Sequence, residues 1–175
     1  MDQPAKGRPV VAARGIVYHE GRVLLLRAQE PGRTYYFLPG GHVAHGERLA
    51  DAVVREVREE TGLRVTVERP LYVREFIASR HARRPASMPK SHHALAVIFL
   101  CRLDEPTDGR AVQQLGHFEP DQGAQGVEAL EWVSLSNLAG REIHPPQLQA
   151  MLSRDFPPKG NAVEFWEEIG RAACR

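Results

Sequence analysis

The chain is 175 residues long, with 23 lysines and arginines against 22 aspartates and glutamates, a formal net charge of +1 and 42% apolar residues. That is enough chain to bury a sizeable core in one domain, and the near-neutral balance supplies no global field for holding nucleic acid or an anionic membrane. Cys101 and Cys174 form neither a CxxC pair nor a disulfide framework, which points to a reducing, cytoplasmic setting, and the longest apolar run, Ala94 to Cys101, is far too short to span a bilayer.

In chain order, residues 1–8 read as a loose polar tail and residues 9–175 as a single domain. Val10 to His19 is apolar and rich in β-branched residues, so it reads as a strand. Glu20-Gly21 turns the chain, and Arg22 to Arg27, with Val23 to Leu26 continuously apolar, reads as a second strand of a hairpin. Glu30 to Arg33 is expected to be a loop. Tyr35 to Leu38 is a short aromatic strand, broken by Pro39-Gly40-Gly41, where glycines permit close backbone approach. Beyond the helix described next, Leu63 to Val67 and Leu71 to Ile77 read as two strands separated at Pro70. Ala78 to His92 carries Arg80, Arg83, Arg84 and Lys90 and reads as a basic loop, either a solvated connection or a wall that meets substrate phosphates. Ala94 to Leu103 is a central strand. Asp104 to Gly126 is a long glycine-containing loop, and Val127 to Leu135 is a further strand. Ser136 to Leu138 starts a helical turn, and Pro145-Pro146 opens a helix through about Ser153. Asn161 is a good N-cap, and Val163, Trp166 and Ile169 predict an amphipathic C-terminal helix.

The stretch from Leu38 to Leu63 carries the chemistry. Leu49, Ala52, Val53 and Val57 recur at helical spacing, and Gly62 is placed as the left-handed stop. The line Leu49, Val53, Glu56, Glu60 makes the core-facing side acidic in its last turns. Like charges one turn apart cost roughly 0.2–0.5 kcal/mol, and carboxylates near a helix C-terminus oppose the macrodipole by roughly 0.3–1 kcal/mol. A solvated charged face accounts for this pattern as well as a bound cation does, since hard divalent ions take such oxygen ligands.

The full spacing runs Gly41, five residues, Glu47, seven residues, Arg55-Glu56-Val57, one residue, Glu59-Glu60, one residue, Gly62-Leu63. It resembles the Nudix box without a departure, and the flanking strands are similar to those of the Nudix hydrolase family. The resemblance implies an α/β fold, an α/β/α sandwich around a mixed sheet, where periodicity alone gives mixed α and β. It implies hydrolysis of a pyrophosphate bond in a nucleoside diphosphate linked to another moiety, by water attack on phosphorus with Mg²⁺ or Mn²⁺. Glu56, Glu60, often Glu59 and sometimes the Gly40 carbonyl would hold the metal. Arg55 would orient a glutamate, Glu47 would support the helix start, and Val57 and Leu63 would be core. The general base would be Glu59 or an acid on the loop before the Trp132 strand, Glu128 and then Glu119. A small nucleotide is the implied partner, with a homodimer compatible with the family. The alternative is a catalytically silent Nudix-like nucleotide sensor, against which stand all three box glutamates.

Other residues admit two readings. Arg83 and Arg84 could meet phosphates or lie in solvent. Tyr36, Trp132 and Phe118 present faces on which a base could stack, though core packing is the commoner use for Trp132. His92-His93 makes a poor metal pair because adjacent side chains diverge on a strand. Ser79 stands where ADP-ribose subgroups of the family tend to have proline, and Ser79-Arg80-His81 lacks the tyrosine of dinucleoside polyphosphate subgroups. The motif of coenzyme A subgroups upstream of the box is missing, so a nucleoside di- or triphosphate or a nucleotide-sugar is the expected range.

Overall fold

The structure is a computed structural model that describes residues 7–81, 89–104, 127–154 and 156–167. Strands β1 (Val10–His19), β2 (Arg22–Glu30), β3 (Arg33–Phe37) and β4 (Gly40–His42) precede helix α1 (Leu49–Thr61). Then come β5 (Val65–Ile77), β6 (His93–Leu103), β7 (Val127–Ser134), β8 (Ile143–His144), α2 (Pro146–Leu152) and β9 (Glu164–Glu167). The strands form one mixed sheet in the order β8-β3-β2-β1-β6-β5-β9, with β4 added to β1 and β7 to β2. β1–β6, β3–β8 and β5–β9 are parallel and the other pairs antiparallel.

Alternation along the strands sorts the core into two layers. Val17, Leu24, Phe99 and Cys101 pack with Ala52, Val53 and Val57 of α1, while their chain neighbours Ile16, Leu25, Ile98 and Leu100 pack with Leu148, Met151 and Leu152 of α2. The helices therefore cover opposite faces, which makes the α/β sandwich that the family resemblance implies. Val53 and Val57 are fully buried, and each contributes about 1.5–3 kcal/mol of apolar burial. Gly62 ends α1 at φ 72° and donates its N–H to the Arg58 carbonyl at 2.9 Å, a left-handed stop that favours glycine.

The β1–β2 hairpin is closed only at its tip, through Tyr18↔Val23 and His19↔Arg22. Further down, β1 parts from β2 and pairs with β4 through Ala12↔His42, Ala13↔Gly41 and Arg14↔Gly40. The expected Pro39-Gly40-Gly41 loop is thus partly a strand: pairing with β1 overrides the low strand preference of glycine. The expected loop at Glu30 to Arg33 shrinks to two residues because β2 and β3 pair out to Glu30↔Arg33. The two strands expected around Pro70 are one, β5, whose register against β6 shifts between Val67 and Arg69 and between Pro70 and Tyr72. A bulge accommodates a residue that has no N–H to give. Within the described residues the start of the expected C-terminal helix is instead β9, laid parallel on β5, while Ile169 lies outside the described residues. A short helix with three apolar positions is marginal alone, whereas an open strand edge offers a row of hydrogen-bond partners.

Candidate active site

Where β1 and β2 part, β4 takes the place beside β1; the turn between β3 and β4 is buried there, and the C-terminal half of α1 packs against it. Glu56 and Glu60 are only 3% and 4% exposed, so the acidic end of the apolar helix face is buried as its periodicity predicts. The Gly40 N–H donates to Glu60 Oε2 at 2.7 Å. Gly41 faces α1 so closely that a Cβ there would lie 2.6 Å from the Glu56 Cδ and both of its oxygens. Gly40 itself has φ 132°, and a Cβ there would lie 2.3 Å from the Ala13 carbonyl oxygen. One glycine lets β4 reach β1, and the next leaves room for a carboxylate.

Arg55 ties the acids together. Its Nε and Nη2 donate to the two oxygens of Glu47 at 2.8 and 3.0 Å, and its Nη1 donates to Glu56 Oε1 at 2.8 Å and Glu59 Oε2 at 3.1 Å. Nη2 also donates to the His42 carbonyl at 3.1 Å. Glu47 in turn accepts from the Ala44 N–H at 2.9 Å, bracing the approach to α1. The Arg55 guanidinium, helped by that N–H, pulls the Glu47 pKa down to about 2, and Glu47 first among the partners pushes that of Arg55 up.

A residue not singled out in the sequence lies beneath this cluster. Arg14, on β1, donates from Nη1 to the carbonyls of Leu38 at 3.0 Å and Gly40 at 2.9 Å. Burial draws its pKa down, against the pull of Glu60 and Glu56. The available signal was an arginine inside an otherwise apolar strand. Its destination depends on β4, which local sequence does not specify.

The remaining candidates divide. Glu59 is exposed and turned toward Arg55. Glu128 is exposed at the irregularity of the β2–β7 ladder beside Arg27 and Ala28. Tyr36 is buried, with the Arg141 guanidinium 4.8 Å above its ring, so a base could use that face only by displacing Arg141. Trp132 packs against the α1-side core, edge-on to His19 at 6.3 Å. Arg83, Arg84, Phe118 and Glu119 lie outside the described residues.

Among the described residues, no three His, Cys, Asp or Glu side chains converge into a metal cage. Glu56, Glu60 and the Gly40 carbonyl still form a hard, oxygen-only donor set. Such a set fits an ion that keeps waters and substrate phosphates in its other positions.

A carboxylate-bearing helix is thus seated on a glycine turn at one face of a mixed sheet, and comparison identifies the family. The NUDIX domain profile matches residues 8–153, and the chain belongs to the Nudix hydrolase family as a pyrophosphohydrolase. It is 37% identical over 115 residues to the low-salt glycan biosynthesis protein Agl8 of Haloferax volcanii, covering 64% of this chain and 72% of that one. It is 46% identical over 56 residues to the ADP-ribose pyrophosphatase of Methanocaldococcus jannaschii, covering 31% of this chain and a third (33%) of that protein. Among solved structures, an ADP-ribose pyrophosphatase from Streptococcus suis superposes with a TM-score of 0.60 at 21% identity, over 91% of this chain and 100% of that one. At that identity the likeness concerns the fold. Nudix hydrolases use divalent metal ions in general, and no helix among the described residues is long and apolar enough to cross a membrane.

Proposed function

We propose that this protein, acting as a single cytoplasmic domain, hydrolyses a pyrophosphate bond in a nucleoside diphosphate linked to another group, with Mg²⁺ or Mn²⁺ held by Glu56, Glu60 and the Gly40 carbonyl. One observation carries the reading. Two carboxylates are buried one helical turn apart beside the Gly40 turn, an oxygen-rich group of the kind that a divalent ion takes, with Arg55 and Arg14 balancing part of their charge. The bound ion would neutralise phosphate oxygens and acidify a water. The chain supplies the rest. Arg55 fixes Glu56 in position and keeps Glu47 ionised as a brace. The Gly40 N–H orients Glu60. A carboxylate then takes the proton from the attacking water. Glu59 supports that role best among the described residues, since Arg55 holds it beside Glu56 while leaving it open to solvent. Glu128 and Glu119 are the alternatives.

The substrate range keeps nucleotide-sugars, ADP-ribose and nucleoside triphosphates together, in line with the differing names of the relatives. The test is a nucleotide panel assayed for phosphate and nucleotide products with Mg²⁺ or Mn²⁺, with and without chelator, in ¹⁸O-water. Label appearing on a phosphorus of the nucleoside product or its partner, only with metal, supports the proposal. Turnover that survives chelation, or binding without turnover across the panel, would sink it and favour a silent sensor.

A further inference from the structure

Three successive carbonyls of the glycine turn are taken up by two residues of β1. Arg14 Nη1 donates to the Leu38 carbonyl at 3.0 Å and to the Gly40 carbonyl at 2.9 Å, and between them the Gly15 N–H donates to the Pro39 carbonyl at 2.9 Å. The register that pairs Arg14 with Gly40 brings the guanidinium to that place. Gly40 thus links Arg14 to the acids: its carbonyl accepts from Arg14, and its N–H donates to Glu60 Oε2 at 2.7 Å. Glu60 and Glu56 favour the Arg14 charge, while burial and Arg74 oppose it. An arginine stays protonated even so. A fixed positive charge therefore serves the same carbonyl and the same two carboxylates that a divalent ion would use. Arg55, by contrast, gives Nε and Nη2 to Glu47, so the charge placed on the Gly40 oxygen is that of Arg14. An ion bonded to that oxygen at roughly 2.1 Å would lie within about 5 Å of Arg14 Nη1. A unit charge and a divalent ion that close repel strongly where water is partly excluded.

We propose that Arg14 is a positioning residue that acts as the internal counter-cation of the Glu56–Glu60 pair: it holds the carboxylates and the Gly40 carbonyl in place without an ion, and by competing for them it weakens divalent-ion binding and keeps the bound ion exchangeable. The inference rests on the hydrolase reading above and names what sets its metal affinity. The variants are Arg14→Gln, which removes the charge, and Arg14→Lys, whose shorter stem draws the charge back from the Gly40 oxygen. The full chain, freed of metal by chelator and dialysis, is titrated with Mn²⁺ while the free ion is counted by electron paramagnetic resonance, and melts are taken in chelator and in saturating Mn²⁺. Arg14→Gln should bind Mn²⁺ about tenfold or more tightly than wild type. It should melt below wild type in chelator and gain more stability from Mn²⁺ than wild type does. Arg14→Lys should fall between, about threefold tighter than wild type, and is read alone where Arg14→Gln does not fold. A role confined to bracing the turn gives the opposite sign, since a loosened site binds the ion more weakly. Equal or weaker Mn²⁺ binding by the folded variants, or an Arg14→Gln melt in chelator as high as wild type, overturns the counter-cation alone. Wild type and variants that all bind no Mn²⁺ overturn the hydrolase reading, and the counter-cation with it.

Discussion

The two glycines of the β3–β4 turn should fail in opposite ways when each is replaced by alanine. At Gly40 the backbone sits at φ 132°, and an added Cβ would meet the Ala13 carbonyl oxygen at 2.3 Å and the Arg14 Cα at 2.6 Å. Both obstacles are main chain and cannot swing aside. A non-glycine residue in that region costs about 1–3 kcal/mol, and overpacking adds about 1–3 kcal/mol. The sum, about 2–6 kcal/mol, is a large share of the roughly 5–15 kcal/mol that holds a domain together. At Gly41 the obstacle is the end of one side chain, the Glu56 carboxylate at 2.6 Å. It can retreat, giving up its hydrogen bond from Arg55, for about 1–2 kcal/mol. Retreat by a fraction of an ångström to an ångström takes Glu56 out of position, and misplacement on that scale lowers turnover by about 100-fold. Urea melts and initial rates on the best substrate of the panel separate the two effects. Gly40→Ala should unfold early or fail to fold, and Gly41→Ala should fold well and turn over poorly. Gly41→Ala at full rate, or Gly40→Ala as stable as Gly41→Ala, would refute the geometry.

Glu60→Gln keeps the acceptor for the Gly40 N–H and removes one of the two buried charges. It should melt below wild type even in chelator, because Glu60 is the strongest attractive neighbour of the desolvated Arg14 guanidinium, and turnover should fall at least about 100-fold; a wild-type melting point together with retained rate contradicts this. Glu47 has its pKa lowered from 4.5 to about 2 by Arg55 and the Ala44 N–H, so its contribution to stability is present above pH 4.5 and lost as pH falls toward 2. The melting-temperature gap between wild type and Glu47→Gln should therefore stay constant from pH 7 to about 5 and close below 4.5; a gap that does not depend on pH speaks against the Arg55 brace. For the general base, Glu59→Gln, Glu119→Gln and Glu128→Gln are assayed separately. A loss of about 100-fold or more confined to Glu59→Gln is expected, and full rate in that variant moves the role to the loop acids.

What the sequence disclosed was what depends on neighbours along the chain. The acidic end of the α1 core face follows from helical spacing alone, and the structure buries Glu56 and Glu60 where that spacing puts them. The Gly62 stop and the start of α2 at Pro146 are likewise local. What stayed hidden depends on remote pairing. β4 is two glycines and a histidine, and it is a strand only because β1 supplies partners for it. β9 carries a weak helical period and is a strand because the β5 edge lies open to it. Arg14 was visible as a charge in an apolar strand, but its acceptors, the Leu38 and Gly40 carbonyls, lie 24 and 26 residues away.

The account stands on a cation joining Glu56 and Glu60, and direct counting of bound Mn²⁺ by electron paramagnetic resonance tests that without reference to any substrate. Wild-type protein should show saturable bound Mn²⁺ that Mg²⁺ displaces, and Glu56→Gln and Glu60→Gln, folded by their melts, should lose it. Variants that bind Mn²⁺ as tightly and in the same number as wild type would contradict the account.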